Sequence, residues 1–82
     1  MINTANDVYA VVADLTYQAR SKGREDLARR LEDALALGSS GLEILGEIRK
    51  IFVYEAAFIE TVISRAQRTE VVEFVQRLYR TG

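Results

Sequence analysis

The chain contains no cysteine, no histidine, no proline and no tryptophan. Without cysteine there is neither a disulfide framework nor a thiolate ligand for structural zinc. Without histidine the imidazole ligand and the usual base of a nucleophile–base pair are missing as well, and no E-x-x-H di-iron pattern can be written. No catalytic residue, metal site or cofactor is therefore expected, and an enzyme is not the reading these residues favour. With proline absent, the five glycines at 23, 38, 41, 46 and 82 are the strongest breakers, and several bracket plausible helix ends. The chain also lacks a long apolar run. IFVYEAAFIETVI (51–63) carries Glu55 and Glu60 and falls short of the ~20 residues that span a bilayer. The opening MINTANDVYA has no basic region followed by an apolar run, so a cytoplasmic location is expected. Charge of one sign is lacking too. Eleven basic and twelve acidic residues give a formal net charge of −1, with no global attraction for nucleic acid or an anionic membrane.

What is present is the composition of a small globular protein, 49% hydrophobic and 28% charged over 82 residues. A single helical domain over 1–82 follows, short enough that association would add stability. Val8, Val11, Val12, Leu15 and Ala19 keep helical spacing after Thr4 and Asp7, which stand close to a capping box. Helix one is predicted over 5–22, ending at Gly23. Leu27, Leu31, Ala34 and Leu35 define helix two over 25–37, with Glu25 and Arg29 spaced for an i,i+4 pair.

Ser40 and Glu43 then form S-x-x-E, a capping signature, after Gly38 has supplied a residue able to adopt a left-handed helix end. From Leu42 the positions Leu45, Ile48, Phe52, Ala56, Ile59, Ile63 and Ala66 advance by three or four. They predict one long helix to about residue 67, roughly 39 Å at 1.5 Å per residue. Beyond Thr69 the stripe loses phase, so Thr69 is expected to cap a fourth helix over 70–80. The fold class is thus all-α: a small four-helix bundle with a long central third helix, or three helices if the last two are continuous. The run KIFVY also admits a strand.

Val53, Tyr54, Ala57 and Phe58 lie off the main stripe, which makes the middle of helix three apolar nearly all round. They form the candidate interface, and a charge at Phe58 is expected to disrupt association without unfolding. Glu55 projects within the stripe and needs an arginine, a hydroxyl or a kink that turns it outward. Gly46 implies a close approach by helix one, helix two or a partner subunit. The cluster Arg20, Lys22, Arg24, Arg29 and Arg30 is interspersed with acids and reads as a solvated mixed-charge face.

Two resemblances bear on function. Ala34, Gly38 and Ile44 match the spacing of the bacterial helix-turn-helix, so the turn at 34–50 resembles that motif and implies a DNA-binding transcriptional regulator. It departs at Ser39, where an aliphatic residue usually seals the turn, and at Glu47, where an apolar one turns inward. Its leading end would offer Ser39, Ser40, Glu43 and Glu47 to the phosphates, which disfavours nucleic acid. The stretch LEDALALGSSGLEILGEIRK (31–50) also resembles a segment of small bacterial helical proteins, L-x-x-A-L-x-x-G-S-S-G-x-E-I-L, which have no known activity. The favoured reading is a non-catalytic protein–protein interaction module, accessory, regulatory or immunity-type. It would pair with a second copy or a protein partner through helix three, with no membrane involved.

Overall fold

The computed structural model describes residues 1–37 and 40–81. The described residues are helical with no strand: α1 (Ala5–Ser21), α2 (Glu25–Leu35), α3 (Gly41–Tyr54), a single-turn α4 (Ala56–Ile59) and α5 (Arg65–Thr81). The all-α bundle is as the spacing predicts, and KIFVY is helical. At the start of α1 the capping box closes fully: Thr4 Oγ1 accepts from the Asp7 amide at 3.2 Å, and Asp7 Oδ2 accepts from the Thr4 amide at 3.0 Å. At its end Gly23 takes φ +82°, a left-handed conformation that glycine adopts freely. The Arg24 amide donates to the Ala19 carbonyl at 2.8 Å and that of Gly23 to Arg20 at 3.3 Å, the two bonds of a Schellman ending. Ser40 caps α3 by accepting from the Glu43 amide at 3.2 Å. The helix end expected at Gly38 lies outside the described residues.

The long third helix is corrected. It stops at Tyr54, the chain makes one further turn as α4, and a bend over 60–64 leads into α5. Its predicted length would exceed the 37 Å longest dimension of the molecule. The cause is distant in sequence. Arg68 on α5 donates from Nη1 to the Phe52 carbonyl at 3.1 Å, satisfying a group at the end of α3 that an uninterrupted helix would have bonded internally. Arg68 Nε also holds Glu60 at 2.8 Å, pinning the bend. The start of α5 is corrected as well. Ser64 Oγ accepts from the Gln67 amide at 3.0 Å, so Ser64 caps the helix and Thr69 lies within it.

Each helix rests chiefly on the next major one: α1 on α2, α2 on α3, α3 on α5. One core runs through them, with Val8, Val12 and Leu15 of α1, Leu27 and Leu31 of α2, Ile48 and Phe52 of α3, and Val71 and Val75 of α5 all fully buried. Thr16, the buried polar side chain among them, donates its hydroxyl to the Val12 carbonyl at 2.7 Å. Ile2 is buried too, and its amide donates to Glu70 on α5 at 3.2 Å, so the segment before α1 is fastened across the bundle.

Gly46 does mark a close approach, but by α5. The Tyr79 hydroxyl donates to the Leu42 carbonyl, and a Cβ on residue 46 would overlap that hydroxyl and lie 3.2 Å from Cζ of the ring. Alanine in a helix interior normally gains about 1 kcal/mol over glycine. Here Gly46→Ala must displace the ring and its hydrogen bond, which offsets the gain by about 1 kcal/mol or more. Urea denaturation should find Gly46→Ala neutral or destabilising in the native background and stabilising by about 1 kcal/mol beside Tyr79→Ala. Equal effects in both backgrounds would rule out the clasp.

Candidate functional site

The break after Tyr54 creates a corner on which several side chains converge. Glu55 ends α3 with φ −103° and ψ 26°, and its carboxylate leaves the apolar stripe to meet two arginines of the α2 region. Arg24 Nη2 lies 3.1 Å from Oε1, and Arg30 Nη1 lies 3.1 Å from Oε2. Two of the three remedies expected for Glu55, the arginine and the kink, are thus used at once, since it is paired and the backbone turns beside it. Its side chain keeps 20% exposure, half-way between a core group and a free surface charge. Arg24 also bonds Asp26 at 3.0 Å and lies 5.1 Å from the centroid of the Phe58 ring, within cation–π reach.

Around this frame the four candidate interface residues part company. Val53 is 50% exposed, Tyr54 81% exposed, and Ala57 is exposed. Phe58 is partly buried, packed against the core with Arg24 above it. The helical phase resets at the break, which turns residue 58 inward. A charge at Phe58 would therefore damage the fold as well as any association, and Tyr54 becomes the informative position.

Salt-bridged carboxylates carry the electrostatics. The hydrogen bond from Arg68, then that from Arg65, holds Glu60 below the usual glutamate value of 4.5. Arg20 spans Glu25 at 2.8 Å and Glu32 at 3.0 Å and lowers both in the same way. Glu25 therefore pairs with Arg20 rather than through the i,i+4 bond expected with Arg29. Asp26 is lowered by Arg24, and Asp7 by the amides of Asn3 and Thr4. A carboxylate with a depressed folded-state value contributes its full stabilisation above its unfolded value and loses it as pH falls through the folded one. For Glu60 that window opens below about pH 4.5. Glu60→Gln should be less stable than the native chain at pH 7, and the deficit should shrink towards pH 3 in urea titrations at both pH values. A deficit that stays constant with pH would show that the Glu60 charge is not what Arg68 holds.

The helix-turn-helix residues fall in place as packing. Ala34 is buried, Ile44 partly so, and α2 packs on α3; Gly38 and Ser39 lie outside the described residues. The α3 face left accessible begins with Leu42 and Glu43, and Lys50 is drawn to Glu47 at 3.5 Å. Among the described residues no three carboxylates converge as metal ligands, and no helix is long and apolar enough to cross a membrane. Arg68 and Glu60, which set the corner, were not apparent from spacing. One local signal was there to find: Ser64 and Gln67 form S-x-x-Q, a capping pattern that marks a new helix. Comparison of the chain with protein-family models, with characterised proteins and with solved structures finds no match.

Proposed function

We propose that this protein is a non-catalytic interaction module, accessory, regulatory or immunity-type, that works as a homodimer through the apolar corner formed by Val53, Tyr54 and Ala57. The observation that carries the reading is Tyr54, an aromatic residue 81% exposed beside half-exposed Val53. Tyrosine with an open ring face is the side chain most useful at the centre of an interface, combining large contact area with a polar tip. The corner is also braced, through Glu55 on Arg24 and Arg30 and through Arg68 on Phe52 and Glu60. A patch presented on a braced frame loses little freedom on binding. Because the patch lies at one point of a small chain, two copies can bring it together about a two-fold axis, each Tyr54 meeting the other corner.

The resemblance of residues 31–50 to a segment of small bacterial helical proteins supports a bacterial cytoplasmic setting. Nothing on α3 favours the duplex-binding alternative. Its leading residue pair is apolar and acidic, Lys50 is paired to Glu47, and Arg49 has its Nε enclosed. The test is the solution mass by light scattering across a dilution series. A dimer that persists into the low micromolar range supports self-association through the corner. A folded monomer at every concentration overturns it.

A further inference from the structure

Nothing local ends α3. Between Glu47 and Thr81 the chain has neither glycine nor proline. The backbone at Glu55, φ −103° and ψ 26°, stands roughly 70° in ψ from the helical region. Regular helical bonds flank the joint on both sides. The Glu55 amide donates to the Ile51 carbonyl at 2.8 Å, and the amides of Ile59 and Glu60 donate to Glu55 and Ala56 at 2.9 Å each. A kink with no proline or glycine at it commonly has a side chain set into the hydrogen-bond ladder. Here that side chain is Arg68, whose Nη1 donates to the Phe52 carbonyl while its Nε holds Glu60 beyond the turn. Arg24 is a second clamp, paired to Glu55 and lying over the ring of Phe58.

We propose that this joint is a switch: release of Arg68 lets α3 run straight on into α4, and the straight form brings Phe58 out beside Tyr54. The bonds exchanged are similar in kind. The straight form gives up the arginine on Phe52 and the cation over the ring, and it gains the backbone bonds that bridge the joint, that of the Ala56 amide to the Phe52 carbonyl first among them. Ile59 is fully buried and keeps to the core side in both forms, because Leu45, Ile48, Phe52, Ala56 and Ile59 share one helical phase. Phe58 is the residue that changes sides. On a continuous helix it lies four positions beyond Tyr54, as Ala57 does beyond Val53, so the four apolar side chains make one stripe. The bend over 60–64, held by short turns from the Thr61 and Val62 amides to Phe58 and Ile59, takes up the change of direction. The latch is thus an autoinhibitory contact: it stows Phe58, and a second copy favours the straight form because that form offers it the complete stripe. This consequence rests on the reading of the corner as the place where chains associate; the joint itself does not.

The test is chemical-exchange NMR on the full chain carrying Tyr54→Glu, which separates the joint from association. Exchange should report a minor form, on the order of 1%, whose carbon shifts at 55–58 are helical. Adding Arg68→Met, which keeps an apolar stem and removes the donors, should raise the population of that form about tenfold or more. No exchange at 55–58, a minor form with random-coil shifts there, or a folded Arg68→Met chain with an unchanged population each overturns the proposal. Should circular dichroism find Arg68→Met unfolded, the exchange measured with Arg68 in place decides alone. With Tyr54 restored, Arg68→Met should tighten the dimer about tenfold by light scattering. Straightening in a chain that stays monomeric supports the joint and overturns the dimer, whereas straightening that leaves an existing dimer no tighter overturns the autoinhibitory role.

Discussion

Replacing Tyr54 with glutamate should abolish self-association while leaving the fold intact. The side chain is 81% exposed and belongs to no described hydrogen bond, so its removal takes little from the monomer. Surface changes of this kind usually move stability by less than about 0.5 kcal/mol. At an interface, by contrast, truncating a central aromatic costs about 2 kcal/mol or more. In a two-fold dimer every substitution occurs twice, so the loss is about 4 kcal/mol, roughly a thousandfold in the dissociation constant. Light scattering at matched concentrations should show the native dimer and a monomeric variant, and circular dichroism should show the variant folded, with the thermal midpoint of the native chain diluted below its dissociation constant. Val53→Asp should act in the same direction. Phe58→Asp should lower the midpoint itself, because its ring is packed against the core under Arg24. If Tyr54→Glu assembles as the native chain does, association lies elsewhere.

Phe52→Ala should produce the largest loss of stability. Phe52 is fully buried in α3, and its carbonyl is the one that Arg68 satisfies at the corner. Truncating a buried phenylalanine removes transfer energy and leaves a cavity, at about 3–5 kcal/mol. The whole stability of a domain this size is about 4–12 kcal/mol. With about 4–8 °C lost per kcal/mol in a domain of 60–100 residues, the thermal midpoint should fall by at least 12 °C and could reach 40 °C. Exposed ion pairs such as Arg20–Glu25 contribute about 0–1 kcal/mol each, so packing and not charge decides whether the bundle stands. Circular dichroism melts provide the check. A loss under about 1.5 kcal/mol would mean that the surrounding helices close over the space.

How much of this could be read beforehand depended on range. The capping of α1 by Thr4 and Asp7, its end at Gly23 and the start of α3 at Ser40 are local matters, decided within four residues, and all three were legible. That Val53 and Tyr54 lie off the main stripe was legible for the same reason, since both belong to the intact part of α3; how exposed they are was not. The break at Glu55 was not, because the apolar spacing runs on in phase through Ala56, Ile59 and Ile63. What ends the helix is Arg68 from α5 and the pull of Arg24 and Arg30, contacts between residues up to 31 apart. Phe58 was misplaced because its position was projected along a helix that had already stopped. Gly46 announced a close neighbour, yet nothing near it in sequence names Tyr79, 33 positions on.

The succession in which each helix leans on its sequence neighbour bears on how the chain acquires its shape during synthesis. Contacts between nearby segments form quickly and need little loop closure. As the chain emerges from the ribosome, α1 and α2 can settle together before α5 has been made, and α3 can join them in turn. One contact outside that succession is the seam between Ile2 and Glu70, 68 residues apart. Ile2 is thus among the last of these residues to find its resting place, because α5, which holds it, is made 60 and more residues later.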